Sequence, residues 1–243
     1  MGSTMRKGYF QFKQFGVKHE KSAMKVSTDA VVLGALAGYE SSYATIFEVG
    51  LGTGVISLML AQRFPQSKIT GVEIDQEAFE EACQNAKESP FKSRLDFLHT
   101  SFQEFLLGAN EGTVDLLVSN PPYYPDHLKS SDRKRNLALH TDALSFEELV
   151  SGANYLLREQ GEFWVILPER QMLDLIARSK AYGFQLFAHV ILKDRKDKPV
   201  LRSICGFSKK ERIFFQNEII IRDNLGEFNS DYASLLKEFL LIF

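Results

Sequence analysis

The feature that most constrains this chain is the stretch Glu48-Val49-Gly50-Leu51-Gly52-Thr53-Gly54, in which three alternate glycines separate a short β-rich run from a helical pattern. The run is Ala44 to Val49, and the helical pattern is Val55 to Phe64, ended by Pro65. Missing Cβ atoms permit a tight turn there and let a ligand approach the backbone closely, with a helix amino terminus facing the same space. The dinucleotide fingerprint G-x-G-x-x-G needs glycine at position 55, which is Val55, so the spacing excludes nicotinamide and flavin cofactors. Downstream the pattern alternates. Ile69 to Ile74 reads as a strand and Gln76 to Glu88 as a helix closed by Ser89-Pro90, with further strands at Leu95 to His99 and Val114 to Ser119. A helix at about Ser145 to Arg158 precedes a strand at Phe163 to Leu167. A helix at Gln171 to Tyr182 and strands near Phe187 to Lys193 and Ser203 to Ser208 complete the pattern. Such alternation predicts an α/β fold, a mostly parallel twisted sheet with helices on both faces and sites at the carboxyl ends of its strands.

With 243 residues, 44% of them hydrophobic, the chain is long enough for one large core, and no repeat or low-complexity linker marks a boundary. Met1 to Thr4 reads as an expression scar ahead of Met5, and no apolar run long enough for a signal or membrane span follows, so a cytoplasmic protein with no membrane partner is expected. Cys83 and Cys205 lack CxxC spacing and a paired histidine cluster, so neither a disulfide nor a metal is assigned. The net charge of −2 conceals an uneven distribution. Residues 1–25 hold six basic side chains against Glu20 alone, among the aromatics Tyr9, Phe10, Phe12 and Phe15. Lys193 to Arg212 holds eight basic side chains against three acidic ones. This asymmetry suits a polyanionic partner, although charge runs also serve as solvated faces.

The glycine loop resembles motif I of class I methyltransferases, whose acidic residue, here Glu48, faces the amino-acid end of S-adenosylmethionine and whose glycines, here Gly50, Gly52 and Gly54, pass beside it. About 20 residues on, the strand ending Glu73-Ile74-Asp75 offers a carboxylate for the ribose hydroxyls; Glu73 is the choice, with Asp75 free to cap the next helix. Where many family members place an acid for the adenine amino group, this chain has Ser101, followed by Phe102, whose ring can face the cofactor. Asn120-Pro121-Pro122-Tyr123 follows an apolar strand. An exocyclic amino nitrogen is a poor nucleophile because its lone pair is delocalised into the ring. The Asn120 side-chain oxygen and the Pro121 carbonyl can each accept one N–H and localise that lone pair. Tyr123 can stack on the base, and the prolines stiffen the loop.

Most of the chain resembles bacterial tRNA1(Val) adenine-37 N6-methyltransferases. The resemblance rests on Phe10-x-Phe12-Lys13-x-Phe15-x-Val17-x-His19, on Met24 to Ala30, and on Ser119 to Tyr124. Ala138 to Asp142 and Pro199-x-x-Arg202 extend it. It implies a Rossmann-like class I methyltransferase fold with an antiparallel C-terminal strand, S-adenosylmethionine as cofactor, and a tRNA substrate. It also implies a basic segment, 1–43, that packs on and closes the cofactor site of a domain spanning 44–243, with Lys25, Thr28 and Asp29 nearest the cofactor. Read locally, Met24 to Gly34 starts a helix with Thr28 or Asp29 as cap. Leu51 replaces a residue usually small in the family. RNA contacts are expected at Lys13, Lys18, Arg133, Lys134, Arg135, Lys196, Lys198 and Arg202, from local charge excess. A monomer is expected. Methylation of a protein glutamine, N6-methylation of rRNA adenine, and a non-enzymatic binding module remain as alternatives.

Overall fold

The computed structural model describes residues 8–40, 42–122 and 144–243. Two short strands, β1 (Tyr9–Gln11) and β2 (Gly16–Lys18), form an antiparallel hairpin, followed by α1 (Thr28–Leu36). The cap of α1 is Ser27, whose hydroxyl accepts from the Ala30 N–H, and not the expected Thr28 or Asp29. Next come β3 (Thr45–Val49), α2 (Val55–Arg63), β4 (Lys68–Glu73), α3 (Gln76–Glu88), β5 (Leu95–His99), α4 (Phe102–Gly108) and β6 (Val114–Ser119). After the segment outside the described residues follow α5 (Phe146–Leu156), β7 (Leu157–Leu167) and α6 (Glu169–Ala181). Then come β8 (Gln185–Lys193), β9 (Val200–Ser208), β10 (Phe215–Ile220) and α7 (Ser230–Leu236).

Eight strands join in the order β10-β8-β9-β7-β6-β3-β4-β5. Every pairing is parallel except those of β9, which runs antiparallel to both β7 and β8. From β3 the chain builds outward to β4 and β5, then returns to lay β6 against the other side of β3. The strand order therefore reverses between β3 and β6, where open α/β sheets leave a crevice at their carboxyl edge.

The central strands show why both faces are covered. Along β7, Trp164 and Ile166 enter one hydrophobic cluster while Phe163, Val165 and Leu167 enter the other, and Leu116 and Val118 alternate with Leu117 in β6. A period of two with apolar residues at every position demands helices on both sides. The first cluster holds α1, α2 and α7; the second holds α5 together with Phe102 and Met172. The helix expected to reach Arg158 stops at Leu156, because Leu157 already pairs with Val114 as the start of β7.

Two rings of the basic aromatic N-terminal stretch belong to the core. Phe12 and Phe15 are 0% and 4% exposed, and their rings stack with centroids 4.5 Å apart inside the first cluster. Phe12 bridges Leu240, and the Lys13 N–H donates to the Phe239 carbonyl at 2.8 Å. Burial of these rings outweighs any gain from presenting them to solvent. Phe12→Ala is expected to cost about 3–5 kcal/mol in urea denaturation. A loss of less than about 1 kcal/mol would place the hairpin outside the cooperative fold.

Candidate active site

Gly50, Gly52 and Gly54 adopt φ values of 79°, 52° and 75°, a left-handed region that other residues enter at a cost. A Cβ on Gly50 would meet nothing within 4 Å, whereas one on Gly54 would lie 3.3 Å from the Ala82 Cβ. The first glycine thus faces open space and the third packs on α3. Two N–H groups, of Gly50 and Leu51, donate to the Val72 carbonyl at 3.0 and 3.2 Å and hold the turn to β4. Leu51 fits because its side chain lies over Gly71, where a Cβ would come within 2.3 Å of it.

Beneath the turn, Glu48 is fully buried. One carboxyl oxygen accepts from the Ser57 N–H at 2.9 Å and from the Ser57 hydroxyl; the other has no partner. Burial pushes its carboxyl from the ordinary 4.5 up to about 8, with Ser57 opposing and Glu73 adding to the rise.

Above the turn, at the reversal between β3 and β6, lies a cavity of about 420 Å³, within the range of small-molecule sites. Gly50, Gly52, Glu73, Ser101, Phe102, Asn120, Pro121 and Pro122 all line it. One Glu73 oxygen accepts from the Gly52 N–H at 2.8 Å and the other from the Asp75 N–H at 3.0 Å, which leaves lone pairs for further donors. Asp75 caps α3, its side chain accepting from the Ala78 N–H at 2.8 Å. Ser101 caps α4 through a reciprocal pair with Glu104, and Phe102, 3% exposed, packs 6.0 Å from the Phe47 ring. Asn120 directly follows β6, only 8% exposed, with its side-chain oxygen buried and unpartnered. Tyr123, the last member of the tetrad, lies outside the described residues, as do Arg133, Lys134 and Arg135.

Other expected residues stand apart from this cavity. Lys25 lines a small adjoining space with Gly50, Gly52 and Asn120, but its ammonium donates to the Glu20 and Ser22 carbonyls at 2.8 and 3.0 Å. Thr28 is exposed, and Asp29 pairs with Arg202 at 2.5 Å. Lys13 donates to the Lys237 and Phe243 carbonyls, and Lys18 pairs with Glu88 at 2.6 Å. Lys196 and Lys198 are exposed between β8 and β9. Because Leu167 pairs with Ser203 and Lys193 with Val200, that hairpin projects from the same sheet edge as the cavity.

Sequence reasoning missed several lining residues. Ser22 and Ala23 wall the cavity from the segment before α1, next to Met24 of the Met24 to Ala30 stretch already singled out, and Ile74 and Thr100 from the ends of β4 and β5. Ile74 directly follows Glu73, so the strand pattern carried a signal for it; nothing local marks the other wall. A second space of about 590 Å³ opens by Ala44 and Asp115, near the amino ends of β3 and β6. Four of its charged side chains pair with one another, Arg158 with Asp115 and Arg212 with Glu40 at 2.6 Å.

This geometry agrees with comparisons to known proteins. Residues 30–179 match the methyltransferase small domain family. A solved chain described as a predicted O-methyltransferase from Agrobacterium tumefaciens shares the fold, with a TM-score of 0.67 at 19% identity over 87% of this chain and 96% of that one. Among curated proteins, the tRNA1(Val) (adenine(37)-N6)-methyltransferase of Pedobacter heparinus is 38% identical over 98% of this chain and 100% of its own length. The Proteus mirabilis protein of the same name is 36% identical over 98% of this chain and 96% of its own. The chain belongs to the tRNA1(Val) (adenine(37)-N6)-methyltransferase family.

The raised Glu48 carboxyl has a pH signature. An unfolded carboxyl loses its proton near 4.5 and the folded one near 8, so across that window the folded state holds a proton that the unfolded state has lost. Stability contributed at this site falls as pH rises. Between about pH 5 and about pH 8 the melting temperature of the wild type should drop relative to Glu48→Gln. Parallel curves would mean that Glu48 is ionised in both states.

Proposed function

We propose that this enzyme transfers the methyl group of S-adenosylmethionine to N6 of adenine 37 in tRNA1(Val). The observation that carries this reading is the buried, unpartnered Asn120 side-chain oxygen at the edge of a glycine-walled cavity. The residues fit the cofactor: Gly50 leaves room for a ligand against the backbone, and Glu73 retains acceptor capacity for ribose hydroxyls. Gly50, Gly52, Glu73, Ile74, Ser101 and Phe102 would hold it, and residues 1–43 pack on and close the site of the domain 44–243. Bound there, S-adenosylmethionine supplies an electrophilic methyl group on a positively charged sulfur.

The chain's own residues prepare the acceptor. Asn120 Oδ1 accepts one N–H of the adenine amino group and the Pro121 carbonyl accepts the other, drawing the nitrogen toward tetrahedral geometry and freeing its lone pair. Pro121 and Pro122 fix the backbone, so these acceptors need no rearrangement. Tyr123 stacks on the base and holds its plane. No general base is required, because the methylated amine is a strong acid and yields its proton to water. An adenine inside a stack cannot reach this cavity, so the substrate presents it in a loop or extrudes it.

Labelled methyl transfer to unmodified tRNA, followed by nucleoside analysis, tests the reading; label in N6-methyladenosine supports it, and label in protein would replace it with glutamine methylation. Asn120→Ala should lower kcat by about 10²–10³ while calorimetry still detects cofactor binding. Near-normal turnover would remove the acceptor role. The paired substitution Lys196→Ala and Lys198→Ala should raise the KM for tRNA and reduce its salt slope by roughly 0.7–0.9 per lost phosphate contact. An unchanged slope would take the β8–β9 hairpin out of the RNA path.

A further inference from the structure

The wall formed by Ser22, Ala23 and Met24 belongs to a strap, residues 18–26, that crosses from β2 to α1 over the cavity. Its attachment to the fold is through side chains of α3. Glu81 is 5% exposed, and its carboxylate accepts three successive strap N–H groups: from Glu20 at 2.6 Å and Lys21 at 2.9 Å on one oxygen, and from Ser22 at 2.9 Å on the other. One turn later, Asn85 is fully buried and bridges two elements. It accepts from the Lys18 N–H at 2.8 Å and donates to the Lys18 carbonyl and to the Thr53 carbonyl of the glycine loop, both at 2.9 Å. Residues four apart share one helix face, so α3 offers the strap a single docking edge.

A carboxylate withdrawn from water is costly unless its oxygens are satisfied. Here backbone amides satisfy it, and the strap thereby acquires a fixed path. The strap also holds itself: the Ser22 hydroxyl donates to the Met24 carbonyl at 3.0 Å, Lys25 closes on Glu20 and Ser22, and the Val26 N–H donates to His19 Nδ1 at 3.1 Å. A segment tied at this many points forms a wall present before any ligand arrives, and such preorganisation lowers the cost of binding.

We propose that Glu81 and Asn85 are positioning residues that set cofactor affinity, by fixing the strap against the glycine loop at the distance the cofactor requires. The proposal rests on the reading of the cavity as the S-adenosylmethionine site. Neither residue lines the cavity, so neither touches the cofactor.

The test uses the full chain with Glu81→Gln, which keeps the shape but turns an amide NH2 toward strap donors, and with Asn85→Asp, which keeps the acceptor for Lys18 and loses both donated bonds. Calorimetric titration with S-adenosylhomocysteine and S-adenosylmethionine should show Kd weakened about tenfold in Glu81→Gln. The KM for S-adenosylmethionine should rise in parallel, with kcat within about twofold. Amide exchange should accelerate at residues 20–22 and remain slow in β3, β4 and β6. Asn85→Asp should move Kd and KM in the same direction, with exchange accelerated where the strap leaves Lys18 rather than at the Glu81-held amides, so the proposal stays testable if Glu81→Gln fails to fold. Unchanged Kd in variants whose strap amides exchange faster would overturn it, as would exchange accelerated throughout the sheet with kcat and KM moving together. A wild type that binds neither ligand would instead overturn the cofactor reading itself.

Discussion

Three left-handed glycines in one turn make the remainder of the site possible. At Gly50 and Gly52 the backbone itself is the cavity floor, and a side chain with a Cβ would both strain the turn and fill the space above it. The turn stands because the Val72 carbonyl takes two of its N–H groups and Glu73 takes a third, so β4 serves the glycine loop before it serves any ligand. The accommodation of Leu51 by Gly71 follows from the same closeness of β3 and β4. A bulkier residue in the turn after one strand is matched by a missing side chain in the neighbouring strand.

Around that turn the molecule assigns rigidity and chemistry to different groups. Ser57 spends its hydroxyl on the Glu48 carboxylate, Asp75 and Ser101 spend theirs on helix caps, and Asn85 donates to backbone carbonyls. Among the described residues of the cavity, Asn120 is set apart by a buried side-chain acceptor that the fold leaves unused. Buried polar atoms in native proteins are rarely left so, and an unsatisfied one carries a free-energy penalty that a substrate can relieve.

The fold was legible because its signals were local. Gln76–Glu88, Leu95–His99 and Val114–Ser119 emerge with the bounds that periodicity and flanking prolines suggest. The three-residue strands β1 and β2 and the seven-residue helices α4 and α7, about two turns each, are too short for their periods to register, and β10 carries polar residues through its middle. At the site, motif spacing brought the glycine loop, Glu73 and Asn120 to one cavity. Charge counting served less well for the N-terminal stretch, whose rings are core and whose Lys13 and Lys18 engage the Phe243 carbonyl and Glu88. A linear sequence shows that basic and aromatic residues are neighbours. Which of them a long-range contact with residue 240 will bury is information the sequence order does not contain.

That long-range contact also sets an order of events in biosynthesis. Phe12 is held by Leu240 and Lys13 by Phe239, so the hairpin that leads into the strap lacks these two contacts until the residues near 240 have left the ribosome. Central strands β3 to β6 can pair earlier, but contacts across so many intervening residues close slowly. A nascent chain can therefore dock the strap on Glu81 and Asn85 of α3 early, whereas the hairpin that leads into it gains its anchors at Phe12 and Lys13 only once translation has delivered the residues near 240.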